Sequence, residues 1–233
     1  MSRKFVLIRD YYEEGVYLYK KKTVTLNPGV TVLVGCNGIG KTTFLHQIKN
    51  KLKKLEVPYI EYDNLHDGGS NAVSKAGFYE DFSFMGTALC SSEGENILMN
   101  ITKLASELGK FVKTGETKEN PISRAFRALN GENIEDKSLL SERWILLDAT
   151  DSGLSVDNII DIKEQLFNTI LKYNYGNEIY IIVSANEYEM ANGEQCFDVY
   201  NGKYITFKNY EEYRNMILES RKWKEERSKA IKD

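Results

Sequence analysis

No stretch of this sequence is apolar for anything near the length of a membrane span, so no membrane insertion is expected. The amino terminus offers only Phe5-Val6-Leu7-Ile8 between charged residues, too little for a secretory signal. Cysteine is scarce and odd in number. Cys36, Cys90 and Cys196 show no metal-ligand spacing, which excludes a disulfide framework and favours a reduced, cytoplasmic compartment. Neither sign of charge dominates: 31 Lys and Arg stand against 34 Asp and Glu, a net charge of −3. That balance leaves nucleic acid open as a partner but gives no electrostatic argument for it. Repeats, low-complexity runs and flexible linkers are lacking too, and 233 residues suffice for one sizeable core.

What is present is a glycine-rich stretch, Gly35-Cys36-Asn37-Gly38-Ile39-Gly40-Lys41-Thr42, between the apolar run Val30–Val34 and Thr43-Phe44-Leu45. It fits the phosphate-loop pattern G-x-x-x-x-G-K-[ST] at every specified position. Glycines let backbone N–H groups turn inward around phosphate oxygens where side chains would collide. Lys41 supplies a positive charge for the β- and γ-phosphates, and Thr42 a hydroxyl for Mg²⁺. Phe44, Leu45, Ile48, Leu52 and Leu55 follow at helical spacing, so the context is strand, loop, helix, with the helix dipole aimed at the anion. Gly35, Asn37, Gly38, Ile39, Gly40, Lys41, Thr42 and Thr43 are therefore the expected contacts of a bound nucleoside triphosphate.

Along the rest of the chain, Phe5–Arg9, Val16–Tyr19 and Thr23–Leu26 read as three short antiparallel strands, and Tyr59–Tyr62 as a strand after the first helix. Ser92 with Glu95 forms a capping-box pattern ahead of Ile97, Leu98, Ile101, Leu104, Ala105 and Leu108, an amphipathic helix. The stretch from Lys110 to Leu140 is polar, with one short helix between Asn120-Pro121 and Asn130-Gly131. Trp144–Asp148 reads as a buried parallel strand ending in a carboxylate, and adjacent strands would bring Asp148 beside Thr42 as the second magnesium-side ligand. A long helix crowded with Ile159, Ile160, Ile162, Leu166, Phe167, Ile170 and Leu171 follows. Ile179–Val183 is a second apolar strand, Asn201-Gly202 marks a hairpin, and Asn209 caps a terminal helix bearing Tyr213, Met216, Ile217 and Trp223 on one face. The mixed Lys, Arg and Glu of its other face read as a solvated surface.

Gly35 to Leu45 resembles the G-x-N-G-x-G-K-[ST]-T-x-L of ABC-type ATPases, and Leu146 to Ser155, LLDATDSGLS, resembles their LLDEPTSGLD. Ser91 to Glu95, SSEGE, is similar to the signature LSGGQ in the shorter form of the recombination and chromosome-maintenance branch. The segment from Ile181 to Gly202 resembles the switch-loop strand, helix and closing hairpin. The resemblance implies an α/β P-loop NTPase fold, a mostly parallel sheet flanked by helices with an amino-terminal antiparallel β subdomain. It implies one ATPase domain over residues 1–233: a core of 1–62 and 141–208, a helical signature lobe over 63–140 and a carboxy-terminal helix over 209–233. It further implies an ATP sandwich, in which Ser92 and Gly94 of a second copy, or of a related partner, close head to tail on the γ-phosphate held by Lys41. Lys41, Asp148 and Ser92 would be the catalytic set, Thr42 and Asp148 the Mg²⁺ ligands, and Tyr11 or Tyr12 the ring stacked on adenine.

The departures from that pattern matter as much. Ala149 stands where the family has its water-activating glutamate, and Ala185 where it has the switch histidine; no Gln lies between Gln47 and Gln165 for the Q-loop. Methyl groups neither take up nor pass on a proton, and losing such help costs about 10²- to 10⁴-fold in rate. Asp151 and Glu187 are the candidates to replace the carboxylate, although neither holds the family position. The expectation is an ATPase head acting as an ATP-dependent dimerisation switch, with slow or partner-dependent hydrolysis. The rival is a non-hydrolysing, nucleotide-gated module in a DNA-repair or phage-conflict complex. The missing glutamine and histidine argue against a transporter subunit.

Overall fold

Apolar runs with no polar alternation need cover on both faces, and the strands of this chain find it in a sheet with helices on either side. In the computed structural model, which describes residues 2–9, 16–64, 105–116 and 141–230, the chain opens with β1 (Arg3–Val6), β2 (Thr23–Leu26) and β3 (Gly29–Val34). Next come α1 (Lys41–Lys54), β4 (Tyr59–Asp63), a helix α2 over 105–114 and β5 (Glu142–Asp148). Helix α3 is α-helical over Val156–Asp161, π-helical over Ile162–Phe167 and α-helical again over Asn168–Lys172. The chain continues through β6 (Glu178–Ser184), α4 (Tyr188–Ala191), β7 (Gln195–Asp198), β8 (Lys203–Ile205) and α5 (Tyr210–Ala230).

Six strands form one sheet in the order β4-β5-β6-β3-β7-β8, parallel except for β8, while β1 and β2 pair antiparallel in a separate sheet. Strand alternation splits the core in two. Ile179, Ile181 and Val183 of β6 face a cluster with α2, α3, α4 and Tyr213 of α5, whereas Tyr180 and Ile182 face α1 and the β1–β2 sheet. Trp144 and Tyr180 are register partners on β5 and β6, stacked with ring centroids 3.9 Å apart. Phe5 sets its edge against Trp144 at 5.3 Å, which fastens the small sheet to the large one.

Four features differ from the sequence expectation. Val16–Tyr19 holds only an isolated bridge at Tyr17, because Leu18 and Tyr19 are both buried and strand alternation fails there. Helix α2 runs on to residue 114, past Lys110, and buries Leu108, Phe111 and Val112. Leu55 lies beyond the end of α1 and is exposed. In α3 the buried residues are Ile159, Ile162, Phe167 and Ile170. A five-residue step separates Ile162 from Phe167, and the π turn, with its i→i+5 bonds, is what brings both onto the sheet. The proposed signature helix start and the helix between Asn120 and Gly131 lie outside the described residues.

Candidate functional site

The turn from β3 into α1 sits at the carboxyl edge of the parallel sheet, where the chain must reverse within Gly35–Gly40. Gly35 (φ 141°) and Gly40 (φ 117°) take backbone angles that strain any other residue. They are also short of room: an added Cβ would stand 2.9 Å from Ile39 Cγ2 at Gly35 and 3.1 Å from Leu18 Cδ1 at Gly40. Ile39 is buried as the loop's anchor, whereas Asn37, Gly38 and Thr42 are exposed and Thr43 is half-buried.

Among the described residues, no group accepts from the N–H of Gly38, Gly40, Lys41, Thr42 or Thr43. Such donors at the start of a 14-residue helix are groups that an anion can satisfy. The Lys41 side chain is buried and folds back over the loop, its Nζ donating to Gly35 O at 2.7 Å. Burial pushes the Lys41 ammonium below its usual range, and the nearby charges of Asp151, Cys36 and Asp148 act against that. The cation is held by a carbonyl that a phosphate oxygen could replace.

Strand β6 lies between β3 and β5, so Asp148 does not reach the loop from a neighbouring strand. Its first partner is Ser184 at the end of β6: the Ser184 hydroxyl donates to Asp148 Oδ1 and accepts from Ala149 N at 2.9 Å. The other oxygen of Asp148 and the hydroxyl of Thr42 have no partner among the described residues, and Asp148 stands close enough to Lys41 to act on its charge. A carboxylate oxygen and a hydroxyl are the kinds of donor that a hard divalent cation takes while keeping most of its waters. On neighbouring β4, Asp63 is the register partner of Asp148.

Ala149 follows at φ 52°, which turns the chain sharply off the sheet. Asp151 is fully buried; its Oδ2 accepts from Asn186 N at 2.6 Å and Glu187 N at 2.8 Å, while its Oδ1 finds no partner among the described residues. Burial raises the Asp151 carboxyl above the usual carboxylate range. Asp151 therefore fastens the segment after β6 to the segment after β5, Glu187 contributing its backbone N–H to this joint while its carboxylate charge adds to the upward push on Asp151. Ala185 is buried with its N–H on Leu33 O at 3.2 Å, the register of a sheet residue with no proton-carrying group. Tyr11, Tyr12, Ser92 and Gly94 lie outside the described residues.

Sequence reading missed the groups that hold this site from behind. Ser184 is one, a polar residue closing an otherwise apolar strand. Tyr19 is another, its hydroxyl donating to Gly40 O at 2.9 Å. Three more come from α5: Ser220 Oγ accepts from Cys36 N at 2.8 Å, Lys224 Nζ donates to Asn37 O at 3.0 Å, and Arg227 Nη2 donates to Gly38 O at 3.0 Å. Their spacing continues the buried stripe of Tyr213 and Met216 at intervals of three and four, and that was the available signal. No family model matches this chain, and no curated protein matches it.

Proposed function

We propose that this chain binds Mg·ATP at Gly35–Thr43 and acts as an ABC-type ATPase head, a P-loop NTPase domain that dimerises on ATP and hydrolyses it slowly or only with a partner. One observation carries the reading: among the described residues, a row of amides without acceptors stands beside a buried lysine whose ammonium donates to a backbone carbonyl. In the bound form, Lys41 exchanges Gly35 O for phosphate oxygens, and the amides from Gly38 to Thr43 take the remaining charge. Thr42 and Asp148 would hold Mg²⁺, whose charge offsets that building on the phosphates during transfer. Ser184, bonded to Asp148 Oδ1, leaves the second carboxylate oxygen for that task.

Chemistry beyond binding is weakly provided for. The methyl groups of Ala149 and Ala185 cannot act on a water, and Asp151 spends one oxygen on two amides while fully buried. This favours slow turnover, or none, over brisk hydrolysis; positioning and charge alone still lower the barrier to phosphoryl transfer. Ser92 and Gly94 of a second copy would complete the site, a step that rests on the SSEGE sequence.

The test is calorimetric titration with Mg·ATP. Wild type should bind, and Lys41→Ala should lose binding by more than about a hundredfold, the cost of leaving several charged hydrogen bonds unmade. Equal affinity in the two proteins removes the assignment. Phosphate release measured on the same samples then separates a slow ATPase from a module that never turns over.

A further inference from the structure

We infer that α5 holds the nucleotide loop in its anion-binding shape, with Lys224 and Arg227 as positioning residues, so that affinity at this site depends on docking of the carboxy-terminal helix. The inference rests on the phosphate-loop reading and extends it to a control element outside the loop. Its basis is a continuous set of contacts. Ser220, Lys224 and Arg227 lie on one stripe of α5 and engage successive residues of the loop. Ser220 donates to Ile217 O at 2.7 Å within its own helix, which turns its acceptor side to Cys36 N. Lys224 takes Asn37 O, and the Arg227 fork spans Gly38 O at 3.0 Å with Ile39 O and Leu18 O at 3.4 Å. Arg227 is buried although it is an arginine near the end of a helix.

The consequence follows from the planarity of the peptide. Across a trans peptide, the C=O of one residue and the N–H of the next point in opposite directions. Pinning Asn37 O against α5 therefore turns Gly38 N–H away from it, and pinning Ile39 O turns Gly40 N–H the same way. Tyr19 does this once more, because holding Gly40 O directs Lys41 N–H. Gly38, Gly40 and Lys41, whose amides are directed in this way, are three of the five without acceptors among the described residues. The Arg227 contact to Gly38 O directs Ile39 N–H, which donates to Cys36 O at 3.1 Å. Without the two cations the loop could relax its carbonyls inward, where they would repel a phosphate. Lys224 adds a restraint at the outer turn: a Cβ on Gly38 would stand 3.0 Å from its Nζ.

The experiment compares wild type with Lys224→Met and Arg227→Gln by Mg·ATP titration and by thermal midpoint without nucleotide. Lys224 is only half-buried, so Lys224→Met should keep its thermal midpoint near that of wild type while Mg·ATP binds about tenfold more weakly. Arg227→Gln should bind about ten- to a hundredfold more weakly, since three carbonyls lose a charged donor. Affinity that falls only in step with the thermal midpoint would mark a merely structural helix and overturn the inference. A second measurement needs no variant: linkage is reciprocal, so saturating Mg·ATP should slow amide exchange over 220–227 in wild type but not in Lys41→Ala. Unchanged exchange in wild type overturns the inference as well. Wild type that takes up no Mg·ATP overturns both readings, whereas wild type that binds, with both variants matching it, overturns this one alone.

Discussion

At the scale of single residues, the site is defined as much by what holds the carboxylates as by the carboxylates themselves. Ser184 is almost fully buried, and its one hydroxyl satisfies both Asp148 Oδ1 and Ala149 N. Ser184→Ala would leave a buried acceptor and a half-buried donor unpaired, costing about 1–3 kcal/mol of stability. Urea unfolding without nucleotide should show that loss, and the freed Asp148 should raise the Mg²⁺ concentration needed for tight ATP binding. A stability equal to wild type would mean that solvent replaces the hydroxyl. Ala149 makes the complementary case. Its φ of 52° already burdens the backbone and its Cβ is in place, so Ala149→Glu adds a carboxylate without adding backbone strain. Phosphate release should then rise, by up to about 10²- to 10⁴-fold if the added group acts as the missing base. No gain would favour the pure binding module, in which Ala185 leaves the site without a second proton-carrying group.

At the scale of elements, the loop between β3 and α1 tolerates little. Gly40→Ala would combine strain at φ 117° with a Cβ 3.1 Å from Leu18 Cδ1, and Leu18 is buried and cannot give way easily. Gly29→Ala is the natural comparison: φ 99°, but nothing within 4 Å. Each should lose about 1–3 kcal/mol to backbone strain. At about 2–4 °C per kcal/mol for a chain of this size, Gly40→Ala should melt lower than Gly29→Ala and should also bind Mg·ATP more weakly. Equal melting points would mean that Leu18 repacks. The strands of the large sheet and α1 were legible because burial on one or both faces leaves a period in the sequence, whereas the first strand, read over Phe5–Arg9, runs over Arg3–Val6 and Val16–Tyr19 forms no strand. Strand order was not, since β6 slips between β3 and β5 through contacts far apart along the chain. The role of α5 was hidden for another reason. Its inner stripe meets a backbone amide and backbone carbonyls, so it is lined with Ser220, Lys224 and Arg227 and looks like a surface. Leu18 and Tyr19, read as part of a strand, are consecutive buried residues supporting Gly40. The π turn in α3 shows the converse: crowded apolar residues were visible, but the local winding that sorts them was not.

At the scale of the molecule, a switch needs two states that differ in affinity for one ligand. Moving a monomer–dimer balance from nearly all open to nearly all closed requires a differential of about 10⁴-fold. ATP and ADP differ only in the γ-phosphate, so the contacts that tell them apart must sit at the far end of the polyphosphate. On the proposed reading these would be Lys41, Thr42 and Asp148 on the chain's own side, and Ser92 and Gly94 from a second copy. The carboxyl edge of the sheet presents the loop there, with α5 on the side of Cys36–Ile39. Light scattering should therefore show a mass doubling with Mg·ATP, and none with Mg·ADP or without nucleotide. Slow turnover should let the dimer persist, so that the doubled mass decays at the rate of phosphate release. Ser92→Arg places bulk and a second cation at the expected contact. It should leave nucleotide bound to a monomer, with calorimetric affinity close to that of the wild-type monomer and no change of mass. A Ser92→Arg protein that doubles its mass like wild type would remove SSEGE from the interface while leaving the phosphate loop intact. Doubling that follows ADP as readily as ATP would remove the γ-phosphate as the signal.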